Sequence, residues 1–112
     1  GATVLALGIV EAELEALARD IGAERGTIHV AVADVSRLAD MRTAVDALAA
    51  AGGGLDAVFA NAGINGVWAP IEDLLPSEWD ETIRINLRGT YLTLHKAVPL
   101  LKRAGGGAIA AQ

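Results

Sequence analysis

Asp34-Val35-Ser36 puts a carboxylate and a hydroxyl directly after the apolar run at 27–32. Asn61-Ala62-Gly63 puts an amide and a glycine directly after a second apolar run, at 55–60. Asn86 follows about one helix later, within Ile85-Asn86-Leu87-Arg88-Gly89-Thr90. Polar groups at the carboxyl ends of parallel strands are where α/β sheets take their ligands. A glycine there admits close approach between backbone and ligand. Each cluster also has a plain structural reading. Asp34 or Ser36 can cap the helix that follows. Asn61-Ala62-Gly63 can simply terminate a strand, and Asn86 can bond within its own helix.

Other reactive types are less promising. Tyr91 and Lys96 are five residues apart, so about 140° separates them on a helix. Tyr91 and His95 are at i, i+4 and can touch. His29 lies inside an apolar run, and with only two histidines and no cysteine no metal cluster is expected. Arg84 and Arg88, also at i, i+4, read as a solvated or interface-facing strip. The glycine triplets at 52–54 and 105–107 each follow a helix and precede a strand. They therefore lie at the strands' amino ends and are read as turns, not phosphate loops.

Strand-like runs alternate with helical patterns, as a parallel sheet covered on both faces requires. Strands are expected at 3–7, 27–32, 55–60 and 108–111. The first helix places Leu14, Leu17, Ala18 and Ile21 on one face, with acidic residues at its start, Arg19 near its end and Gly22 as its stop. The second places Leu38, Met41, Val45 and Leu48 on one face. A long helix is expected at 77–103. Its stripe is Trp79, Ile83, Leu87, Tyr91, Leu94, Val98 and Leu101, while Ile85, Leu92 and Leu100 give it a second apolar face. Pro99 is expected to bend its last turn.

At 112 residues the chain is expected to form a single domain, 1–112. Its 53% apolar content excludes a disordered chain. The net charge of −5 argues against a nucleic-acid partner. No apolar run approaches membrane-span length, which argues against a membrane role. The absence of cysteine fits a reducing, cytoplasmic setting.

Taken in order and at their spacings, these clusters, together with Pro70-Ile71-Glu72-Asp73-Leu74 and Glu78-Trp79-Asp80, resemble the short-chain dehydrogenase/reductase family. The resemblance runs from that family's second strand to the beginning of its fifth. It implies a Rossmann-type NAD or NADP oxidoreductase. It implies that Asp34, with Val35, meets the adenine amino group, and that Asn61, Ala62 and Gly63 lie against the cofactor ribose. Asn86 becomes the helix residue whose local kink helps hold the water of a proton relay.

Two departures qualify the resemblance. The family's Thr-Gly-x-x-x-Gly-x-Gly loop and its Ser and Tyr-x-x-x-Lys catalytic set are not found in this sequence. Gly8-Ile9-Val10 stands where the family carries a charged ribose partner. The expectation is a truncated Rossmann-like domain that is not active as this chain alone. The alternatives are an inert self-associating α/β piece, remnant or engineered, or a residual nucleotide-binding module. The family's sheet order is 3-2-1-4-5. Without the first strand the remaining sheet either holds a gap for another polypeptide or closes on itself. Closure is the expectation if the chain is a complete, folded object. It gives a doubly wound parallel sheet of order 2-1-3-4, helices on both faces, and a ligand site between Gly8-Ile9-Val10 and Asn61-Ala62-Gly63. The long helix, apolar on more than one face, is expected to bury the surface left without neighbours in a homodimer.

Overall fold

The computed structural model describes residues 2–22, 26–51 and 53–112. The elements run β1 (Thr3–Gly8), α1 (Glu11–Ile21), β2 (Thr27–Val32), α2 (Leu38–Ala50), β3 (Ala57–Ala60), α3 (Pro76–Ile83), a π turn (Arg84–Arg88), α4 (Gly89–Arg103) and β4 (Ala108–Ala111). The α/β class follows from this alternation, and both strand pairings are parallel.

Local chemistry explains most of the boundaries. Glu11 and Glu13 sit in the first turn of α1 and Arg19 in the last, as the helix dipole favours. Gly22 ends that helix at φ 60°, its N–H donating to the Ala18 carbonyl at 3.2 Å. Pro76 supplies the first residue of α3, where its missing N–H costs nothing. Glu78 Oε2 accepts the Leu75 N–H at 2.9 Å and satisfies one of the free donors there. The second glycine triplet behaves as a turn, with Gly105 and Gly106 both at positive φ. In the first triplet Gly52 lies outside the described residues.

The sheet corrects the expected topology. β1 pairs with β2 from Thr3↔Thr27 to Gly8↔Val32, and β3 pairs with β4 from Ala57↔Ala108 to Ala60↔Ala111. These are two separate two-stranded sheets. The 2-1 and 3-4 neighbours are present, but β1 does not pair with β3, so the order 2-1-3-4 is not realised as one sheet. Closure would have satisfied the backbone groups along both inner edges. The side chains of the π turn reach the exits of both sheets, as described below.

The core is small and lies where α2 and α4 meet and where α4 covers β3. Met41 and Ala44 of α2 are buried, as are Leu92, Ala97, Leu100 and Leu101 of α4 and Ala60 of β3. The stripe expected for the long helix is mostly the wrong one. Of its members only Leu101 is buried, while Leu87 is 63% and Tyr91 56% exposed. The second apolar face, through Leu92 and Leu100, is the one that enters the core. α4 continues past Pro99 to Arg103. The radius of gyration is 15.7 Å. A compact domain of this length would have about 13 Å, so the chain is spread out relative to its mass.

Candidate functional site

The expected site residues converge on the π turn. A π turn carries one residue more than an α turn between hydrogen-bonded groups, and such turns favour functional positions. Here it splits the long helix into α3 and α4. On a helix, residue 88 falls about 40° from residue 84, whereas residue 86 falls about 200° from it. Arg84 and Arg88 thus leave one side and Asn86 the other.

Asn86 reaches the loop after β3. Its Oδ1 accepts the Ile64 N–H at 2.7 Å, and its Nδ2 donates to the Ile64 carbonyl at 2.7 Å. Both ends of the amide are engaged by one residue's backbone. The Asn86 carbonyl in turn accepts from the Thr90 hydroxyl at 2.9 Å. Asn61, Ala62 and Gly63 precede that joint and are exposed. A Cβ on Gly63 would come 3.1 Å from Asn86 Oδ1. The close approach that Gly63 permits is therefore to the Asn86 side chain.

Arg84 and Arg88 reach the turn after β2. Ser36 is buried, at 6% exposure. Its N–H donates to Asp34 Oδ1 at 2.9 Å and its hydroxyl donates to the same oxygen at 2.6 Å. Arg84 Nη1 donates to Asp34 Oδ2 at 3.3 Å and also to the Ser36 hydroxyl oxygen. Arg84 Nε and Nη2 are held by the two Glu81 oxygens at 2.8 and 2.7 Å. Arg88 Nε donates to the Ser36 carbonyl at 3.4 Å. Arg84 and Arg88, read from sequence as a solvated or interface-facing strip, both engage the turn after β2, Arg88 while remaining exposed. Val35 completes the contact, because a Cβ on Gly89 would meet its Cγ2 at 2.6 Å. Only glycine fits there without displacing the turn.

The capping reading of Asp34 and Ser36 is corrected. Arg37 is the N-cap of α2, with no side-chain cap bond. Asp34 closes the turn before it, its carbonyl accepting the Arg37 N–H at 3.0 Å. Its own N–H donates to Asp40 Oδ2 at 2.9 Å. The Asp34 carboxyl lies below the ordinary aspartate range, chiefly through the Ser36 hydroxyl, with further help from the Ser36 N–H and Arg84. Glu81 is likewise lowered by Arg84, and Arg84 is raised by Glu81 and Asp34.

Other candidates stay apart from this cluster. Ile9 is 72% exposed and Val10 begins α1. Tyr91 and His95 stack with ring centroids 5.5 Å apart, beside an open groove on α4 that also includes Leu94, Val98 and Pro99. Among the described residues no group of three or more metal-ligating side chains occurs, and no helix is long and apolar enough to cross a membrane.

The family model for short chain dehydrogenases matches residues 1–111. The chain belongs to that family. D-Threitol dehydrogenase of Mycolicibacterium smegmatis is 38% identical over 109 residues, covering 97% of this chain and 42% of the relative. A 3-ketoacyl-ACP reductase from Sinorhizobium meliloti superposes with a TM-score of 0.91 at 58% identity, over 96% of this chain and 42% of that one. An alcohol dehydrogenase from Thermococcus sibiricus, solved with 5-hydroxy-NADP, gives 0.85 at 29% identity over 94% and 45%. The chain thus spans about 42% of the length of these two relatives, D-threitol dehydrogenase and the 3-ketoacyl-ACP reductase. A superposition this close takes in both small sheets. β1 and β3 therefore keep the separation they have in a chain more than twice as long.

Sequence reasoning missed Arg84, Gly89 and Ile64 as members of this cluster. The Glu81–Arg84 spacing at i, i+3 was the available signal for the first.

The Asp34 contacts carry a pH signature. The folded carboxyl titrates below its unfolded value, so its stabilisation is complete above about pH 4 and is lost as pH falls through the folded value. Asp34→Asn removes that term. In urea titrations between pH 6 and pH 2, roughly the window of carboxylate protonation, the wild-type midpoint should fall further than the variant's. Superimposable acid limbs would contradict the contact.

Proposed function

We propose that these residues form the adenosine side of an NAD or NADP site in a short chain dehydrogenase. The observation that carries this reading is the convergence of the exits of β2 and β3 on one π turn. It puts a half-buried acceptor carboxylate, Asp34, and the exposed Asn61-Ala62-Gly63 backbone at the carboxyl ends of parallel strands, where such sheets bind ligands. Asp34 and Val35 would receive the adenine, and Asn61, Ala62 and Gly63 would border the ribose. The bound cofactor would supply the hydride. Asn86 would help place a relay water from the π turn, its side chain fixing the loop after β3.

The 112 residues contain no Tyr-x-x-x-Lys, and Lys96 follows Tyr91 by five. A general acid for the proton that accompanies hydride transfer is not provided by these residues. The expectation is therefore no measurable turnover by this chain alone. The lack of cysteine suits a reducing, cytoplasmic compartment.

A second reading concerns assembly. Leu75, Trp79, Ile83, Leu87 and Tyr91 follow one another at i, i+4 along the exposed face of α3 and α4. The face continues into the groove at Leu94, Val98 and Pro99. An apolar stripe of this length on the surface favours a twofold contact between copies.

Calorimetric titration with NADH and NADPH, followed by a turnover assay, tests the first reading. Binding in roughly the millimolar range without turnover is expected. Turnover by this chain would overturn the assignment of its chemistry, and no binding would overturn the adenosine site. Sedimentation at micromolar concentration tests the second. A dimer is expected that Leu87→Glu converts to monomer; a wild-type monomer would contradict it.

A further inference from the structure

Asp34 has a nearly filled coordination shell. Each carboxylate oxygen has about two acceptor positions. Oδ1 uses both, on the N–H and the hydroxyl of Ser36. Oδ2 uses one, on Arg84 Nη1. One acceptor position remains, and its direction is set by where Arg84 stands. Arg84 is itself fixed, since Glu81 binds its Nε and Nη2 as a two-pronged fork. Arg84 Nη1 also donates to the Ser36 hydroxyl, which orients that hydroxyl toward Oδ1. The neighbouring Asp40 carboxylate accepts the Asp34 N–H, and Arg88 is directed to the Ser36 carbonyl.

We propose that Arg84 is a positioning residue for base recognition: by occupying one side of Asp34 Oδ2 it aims the one free acceptor of that carboxylate at an amino group of a bound purine. The inference rests on the adenosine reading of Asp34. Without Arg84 the carboxylate keeps its charge, but both acceptor positions of Oδ2 are open and only the Ser36 contacts to Oδ1 restrain rotation about Cβ–Cγ. Loss of aim shows as loss of discrimination between an amino and a carbonyl group at the same place on the base. AMP carries the amino donor there. IMP carries a carbonyl, which a fixed carboxylate repels. A residue that only supported the fold would weaken both ligands alike.

The experiment measures AMP and IMP affinities by ligand-observed NMR for the wild-type chain and for Arg84→Met, Arg84→Lys and Glu81→Gln. The far-UV circular dichroism of each variant is recorded alongside. A charge-assisted hydrogen bond gained or lost predicts a wild-type preference for AMP of about tenfold. Arg84→Met should bring the AMP:IMP ratio close to one. Arg84→Lys and Glu81→Gln, which keep a cation or leave Asp34 untouched, should give intermediate ratios and serve if Arg84→Met does not fold. A wild-type ratio retained in the folded Arg84 variants overturns the positioning role and leaves the adenosine reading standing. A wild-type chain that binds neither nucleotide, or both equally, overturns the adenosine reading of Asp34 and the inference with it.

Discussion

Among the described residues the two sheets share no strand pairing, and one helical turn connects their carboxyl ends. Arg84 and Arg88 hold the exit of β2, and Asn86 holds the exit of β3 from the opposite side of the same turn. All three side chains leave from the π segment between α3 and α4. Two glycines make the connection possible, Gly63 beside Asn86 and Gly89 beside Val35. Each hydrogen bond contributes only about 1 kcal/mol. Their effect is geometric: they fix where β1–β2 and β3–β4 can stand.

That constraint organises what remains exposed. The β1 and β3 edges are kept apart, so a chain of this length stays more open than a compact domain would be. The helix turns its Leu92 and Leu100 face into the core and leaves the Trp79, Leu87 and Tyr91 face outside. The polar exits of β2 and β3 are gathered on one side. Placement of the Asp34 carboxylate and of the loop at 61–64 therefore depends on the same turn.

Much of this was legible in the sequence. β2 and β4 fall at the residues expected from their apolar runs, and Gly22 ends α1 as its position suggested. The order of the motifs at Asp34, Asn61 and Asn86 identified the family. What could not be read depended on contacts far apart in the chain. Arg84 meets Asp34 across 50 residues and Asn86 meets Ile64 across 22. Local patterning made Arg84 and Arg88 a solvated or interface-facing strip, because Asp34 and Ser36, which they reach, lie on another element. The expected closure of β1 onto β3 followed from strand order and crossover handedness in a chain taken as a complete folded object. It gave no weight to side chains that clamp both sheets to a third element. The choice between two apolar faces of α4 was similarly open until the position of α2 was known.

Amide hydrogen exchange at Ile64 tests the role of the π turn most directly. In the described residues the only partner of that N–H is Asn86 Oδ1. In the wild-type chain the Ile64 amide should exchange at least about tenfold more slowly than a free loop amide. In Asn86→Ala it should exchange at the free rate while the helical far-UV signal persists. An Ile64 amide that is unprotected in the wild type, or equally protected in the variant, would contradict the account.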